Sequence, residues 1–185
     1  MLGSVKDVSI TSPRTTVSIS ISQPRLQRLL AQPQGEASAE LVLLDVTAES
    51  PPGVLFNVYL ARNGDLATRQ FAGTLSWFAA FGHHGGEMGG GPGSMSGDAG
   101  VTSGGPRSMD RTFRFPVTEQ LRDLLQTNTS DLAISIEATT GRVPVDRSNA
   151  EAEQAKAAKS FRPESKLQIG AVELRAVSPA GSVGP

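Results

Sequence analysis

From Thr16 to Ile21 the chain reads Thr-Val-Ser-Ile-Ser-Ile, which sets Val17, Ile19 and Ile21 on one side of an extended backbone and Thr16, Ser18 and Ser20 on the other. This period of two is the mark of a strand with one face in a core and the other in water. The alternation recurs from Val5 to Ile10, Arg111 to Val117, Asp131 to Thr139 and Lys166 to Val177, with a slip near Gly170 in the last. Glu40 to Ala48 and Val54 to Ala61 are denser apolar runs rich in β-branched residues. The Glu-Ser-Pro-Pro-Gly between them makes a strand, turn, strand unit. Asn63-Gly64-Asp65 is another turn signal. Gln70 to Phe81 is a further, aromatic-rich segment in which Gly73 marks a bulge or a close backbone approach. About eight strands and few helical patterns predict an all-β fold, a jelly-roll-like antiparallel β-sandwich with one or two short helices.

Pro24 opens a short helix with Leu26, Leu29 and Leu30 at helical spacing, and Pro33 closes it. Thr118 to Gln126 reads as a second helix, with Thr118 as cap and Leu121, Leu124 and Leu125 facing inward. Residues 142–163 are a polar excursion whose Ala, Glu and Lys-rich middle suits either a solvent-exposed helix or a disordered segment, with Phe161 as its anchor. Residues 82–110 hold about half of the chain's 20 glycines and show no apolar period, so they read as a mobile loop. Residues 1–177 are then expected to form one sandwich domain, and 178–185 a disordered tail.

Seventeen basic against 18 acidic residues leave a net charge of -1, and the Lys and Arg are scattered rather than gathered into a stripe. That excludes the electrostatic footprint of a nucleic-acid binder. No window approaches the roughly 18 apolar residues of a membrane span, and the first residues lack a signal peptide's basic start and apolar run. A soluble protein without a membrane partner is expected, its compartment open. The absence of Cys removes disulfides, thiolate metal sites and cysteine nucleophiles together. The sequence contains no Gly-x-Ser-x-Gly, no phosphate-binding glycine loop and no His-Glu-x-x-His. Asp45, Glu49, Asp110, Asp123 and Glu137 fall at strand ends or polar faces, where solvated carboxylates far outnumber catalytic pairs. No residue is assigned a catalytic role.

One constellation carries chemistry. Both histidines, His83 and His84, and three of the four methionines, Met88, Met95 and Met109, fall in the glycine-rich tract. Imidazole and thioether are neutral donors suited to Cu(I), and glycine lets a chain fold them around one ion. Transient copper binding, with no tightly bound cofactor, is one reading; a glycine-rich insertion whose His and Met are incidental is the other. Trp77, Phe78 and Phe81 likewise read either as sandwich core or as an exposed patch that docks on a partner. Phe56 and Tyr59 lie on opposite faces of one strand, so one belongs to the core and the other is a candidate partner contact.

Leu55-Phe56-Asn57-Val58-Tyr59 resembles the Lys-Phe-Asp-Val-Tyr strand of the C-terminal domain of tyrosinases and plant-type polyphenol oxidases. The flanking order is also similar. An early Thr-Val-Ser-Ile strand precedes a Pro-Arg segment and then ELVLLDVTA, and Phe71-Ala72-Gly73-Thr74 stands where that family has Ala-Gly-Ser or Ala-Gly-Thr. FRFPVTEQLRDLL, DLAISIEATTG and LQIGAVELRAV then follow in the family's order, so the likeness runs from about Val8 to Val177. Leu55 and Asn57 depart from the Lys and Asp of the motif, and the glycine tract replaces a shorter, often basic segment. The resemblance implies a β-sandwich that packs over the entrance of a dicopper site and keeps the enzyme latent. Its partner would be the catalytic dicopper domain, in cis or in trans. A type 3 centre takes about three His per copper, and with two His this chain cannot be the oxidase by itself. A free-standing sandwich module for carbohydrate or protein, and a dedicated copper chaperone, are the rival expectations.

Overall fold

The alternating segments become eight strands: β1 (Gly3–Ile10), β2 (Arg14–Ser20), β3 (Ser38–Thr47), β4 (Leu55–Arg62), β5 (Asp65–Leu75), β6 (Arg111–Pro116), β7 (Asp131–Thr139) and β8 (Leu167–Val177). The structure, a computed structural model, describes residues 1–33, 37–76, 111–124, 131–141 and 147–177. The strands form two four-stranded antiparallel sheets, ordered β1-β8-β3-β6 and β2-β7-β4-β5. The pairs β1 with β8, β2 with β7, β3 with β6 and β4 with β5 are the rungs of one long hairpin, wound so that strands alternate between sheets. This is the jelly-roll wrapping, in which each sheet buries one face against the other.

The period of two decides what is buried. In β4, Phe56, Val58 and Leu60 point inward and are fully buried, and in β7 the inward set is Leu132, Ile134, Ile136 and Ala138. Ile10, Leu41, Leu43, Val172 and Leu174 of the first sheet complete the same core. Each such Val, Leu, Ile or Phe side chain contributes about 1.5–3 kcal/mol when fully removed from water.

Helix α1 (Gln23–Leu30) and helix α2 (Thr118–Leu124) close one end of the sandwich by burying Leu26, Leu29, Leu121 and Leu124. Thr118 is not a cap; it lies within the helix, and its Oγ1 accepts the Ala39 backbone N–H at 2.8 Å, tying α2 to β3. Leu125 lies outside the described residues. Helix α3 (Arg147–Ser160) sits where β7 finishes, at the opposite end, so the polar excursion contains a helix and the described residues hold three α-helices rather than one or two. Ala157 is buried, and Phe161 meets the ring of Phe56 edge-on at 5.9 Å. Arg162 N–H to Pro52 O at 3.0 Å and Glu49 N–H to Ser165 O at 2.8 Å fix the crossing. Among the described residues, no helix is long and apolar enough to cross a membrane.

β5 departs from the sequence expectation in where it starts, whereas β8 keeps the slip the sequence predicts near Gly170. β5 begins at Asp65, not near Gln70, because Gly64 at φ 82° closes a two-residue turn that pairs Arg62 with Asp65. The slip in β8 is real and is shared by its neighbours. Ile169 and Val172 both face the core, as do Val8 and Val5 in β1 and Val46 and Leu43 in β3, so the facing flips at one level in three adjacent strands. The flip passes through Asp7 (φ 55°), Gly170 and Asp45 (φ 51°). Asp is among the few residues that tolerate this left-handed region. β6 lacks the extra residue, and its pairing with β3 shifts register between Leu43 and Val46.

Candidate functional site

The outer face of the second sheet carries the most organised polar chemistry of the described residues. β7 lies in its interior, and its outward residues Ser135 and Glu137 are nevertheless buried, because long side chains from both flanks close over them. Arg14, from the edge strand β2, grips the Glu137 carboxylate with two nitrogens, Nε to Oε1 and Nη2 to Oε2, both at 3.3 Å. Arg69, from the other edge strand β5, reaches Oε1 through Nη1 at 2.6 Å. Ser135 Oγ donates to the same oxygen at 3.0 Å. The carboxylate's desolvation is thus offset by charge-assisted hydrogen bonds from two sides.

Arg69 reaches Glu137 by lying over the ring of Tyr59, its guanidinium carbon 4.9 Å from the ring centre. Asn57 Nδ2 donates to Tyr59 Oη at 3.2 Å, and Thr74 Oγ1 donates to Asn57 Oδ1 at 2.8 Å. Across from Tyr59 in the ladder stands Phe71, its ring 5.7 Å away and inclined at 64°. Phe71 is 51% exposed, the one aromatic side chain among the described residues left so open. A bulge puts it there. Val58 pairs with Gly73 but Tyr59 pairs with Phe71, so Ala72 is an extra residue and the facing of β5 reverses between Gly73 and Phe71. Gln120 Nε2 donates to the Phe71 carbonyl at 3.1 Å, so α2 shields that part of the sheet edge.

A second polar surface lies on the outer face of the first sheet, where Asp7, Ser9, Asp45, Thr47, Gln168 and Gly170 line a shallow depression. It offers two carboxylates. Among the described residues there is no group of three or more His, Cys, Asp or Glu that could hold a metal ion.

Of the residues singled out from sequence, Tyr59 is on the outer face and Phe56 is core. Trp77, Phe78, Phe81, His83, His84, Met88, Met95 and Met109 lie outside the described residues, as do the whole of 82–110 and the tail 178–185. The sequence reading misses Phe71, Arg69 and Arg14, and its expectation that Glu137 is a solvated carboxylate is wrong: Glu137 is buried, 5% exposed, because Arg14 and Arg69 close over it. Unbroken alternation groups Phe71 with the buried Leu75; the signal for its exposure was Gly73, flagged as a bulge but not followed to its effect on facing. A scan against protein-family models and a search of curated proteins return no match.

Proposed function

We propose that this chain is a non-catalytic accessory domain of a tyrosinase-like type 3 copper oxidase, which it serves in cis or in trans by covering the active-site entrance and holding the enzyme latent. One observation carries the reading: an exposed Phe71 packed edge-on against Tyr59, beneath Arg69, on an otherwise polar sheet face. An open aromatic ring braced by a second ring and a guanidinium on a rigid sheet is the composition of a protein-binding hot spot. The order of strands supports it too, since the Phe-Asn-Val-Tyr strand runs inside the second sheet and itself supplies Tyr59. A sugar-binding platform is favoured less, because rings inclined at 64° do not present one flat stacking surface. Assistance with copper loading is assigned to His83, His84, Met88, Met95 and Met109 on ligand chemistry alone.

The test mixes the purified chain with the type 3 copper catalytic domain encoded in frame with it or beside it, and follows diphenol oxidation. A saturable fall in rate as the chain is added is expected. Unchanged activity together with unchanged copper content would remove the reading.

A further inference from the structure

The two arginines on Glu137 are not equivalent. Arg14 holds the carboxylate with a two-point fork from the far edge of the sheet. Arg69 holds it at one point, lies over Tyr59, and stands two residues from the exposed Phe71 on the same face of β5. If Arg69 left, Glu137 would keep the Arg14 fork and the Ser135 hydroxyl, so no buried charge would be stranded. If Arg14 left, Glu137 would keep one guanidinium nitrogen and the Ser135 hydroxyl, both on Oε1, and Oε2 would lose its partner. Two guanidiniums on one buried carboxylate also leave this face with an excess positive charge beside its exposed ring.

We propose that Arg69 is the cation of the docking face: on binding it turns from Glu137 to a carboxylate of the partner protein, while Arg14 stays, and Phe71 packs on apolar surface next to that carboxylate. The inference rests on the accessory-domain reading and adds to it the chemistry the partner must present, an acidic side chain bordering an apolar recess. Glu137 cannot make a cross-interface contact itself, being 5% exposed; it parks the solvent-accessible Arg69 in the free chain. A face built this way docks in a salt-dependent manner, because the exchanged pair is screened until water is excluded.

The experiment measures the concentration of chain that half-inhibits the catalytic domain, at several NaCl concentrations, for the wild type and for Arg69→Gln, Phe71→Ser and Glu137→Gln, each shown by thermal unfolding to be folded. Arg69→Gln and Phe71→Ser are each expected to raise that concentration about tenfold, and Arg69→Gln to flatten the salt dependence. Glu137→Gln is expected to lower it about threefold, since Arg69 no longer leaves a full charge behind. A merely structural role for Glu137 predicts the opposite sign. Phe71→Ser keeps the test open should a charge variant fail to fold, because an exposed ring adds little to the core. A wild-type chain that inhibits while Arg69→Gln and Phe71→Ser inhibit equally well overturns the face assignment alone, as does a Glu137→Gln chain weakened like Arg69→Gln. A wild-type chain that never inhibits overturns this inference, and, if the copper content is unchanged as well, the accessory reading with it.

Discussion

At Gly73 a Cβ would run into the ring of Phe115, so the close approach of β5 to β6 depends on a residue without a side chain. The same glycine sits at the bulge that turns Phe71 to the outside, which links a packing constraint between the two sheets to the shape of the docking face. Gly73→Ala is therefore expected to cost about 1–3 kcal/mol, the usual range for overpacking a filled core. Shortening the obstructing ring in the same chain, Phe115→Leu, should make the double variant less unstable than the sum of the singles, because the two changes share one clash. Urea unfolding of the three variants checks this, and strict additivity would show that the ring is not the obstacle. Gly73 was legible in the sequence as a glycine with a reason, while the facing of Phe71 was not. One extra residue in a strand reverses every side chain before it, and nothing in the composition of Phe-Ala-Gly-Thr fixes which residue is extra.

The elements were legible in proportion to how far each buries one face. β2 and β7 alternate in hydropathy because one side meets the core, β8 does so on either side of its slip at Gly170, and the bounds of all three follow the pattern closely. The first half of β5 is hard to read because Asp65 to Arg69 lies at a sheet edge with no fully buried residue, so its half-buried and exposed positions leave no apolar alternation in the sequence. Helix α3 is ambiguous in sequence for a similar reason, since of residues 150–160 only Ala157 is buried. Its Ala, Glu, Lys and Gln residues favour helix intrinsically, yet an isolated helix of 14 residues is marginal in water. Its tether is Ala157, the Thr140 hydroxyl donating to Glu153 at 2.5 Å, and Phe161 against Phe56. Phe161→Ala should then cost about 3 kcal/mol and release the helix before the sheets. In hydrogen exchange, the α3 amides of that variant should lose their protection while those of β7 keep theirs. Equal loss in both elements would mean that α3 and the sandwich open as one unit.

Alternation states which way a side chain faces but not which strand lies beside it, and for that reason the winding of the molecule was only partly legible. The pairing of Gly3 with Leu174 or Arg14 with Glu137 joins residues from distant parts of the chain, and only the packed whole selects it. Once wound, β5 and β6 meet at Gly73 and Phe115, so the chain leaving β5 at Leu75 and the chain entering β6 at Arg111 emerge at neighbouring edges on one end. Described residues of both sheets already pack into one continuous core. Replacing residues 82–110 by a linker of about six Gly and Ser residues, which spans up to roughly 20 Å, should therefore leave a cooperative sandwich whose melting temperature moves by only about 2–4 °C, since loop closure depends weakly on length. The docking face is built from described residues of β4, β5 and β7 and should inhibit as before, whereas Cu(I) affinity measured against a competing chelator should fall with the loss of His83, His84, Met88, Met95 and Met109. Loss of cooperative unfolding would place part of that tract in the core. Unchanged Cu(I) affinity would reduce its His and Met to incidental residues and leave this chain a docking domain without a role in copper loading.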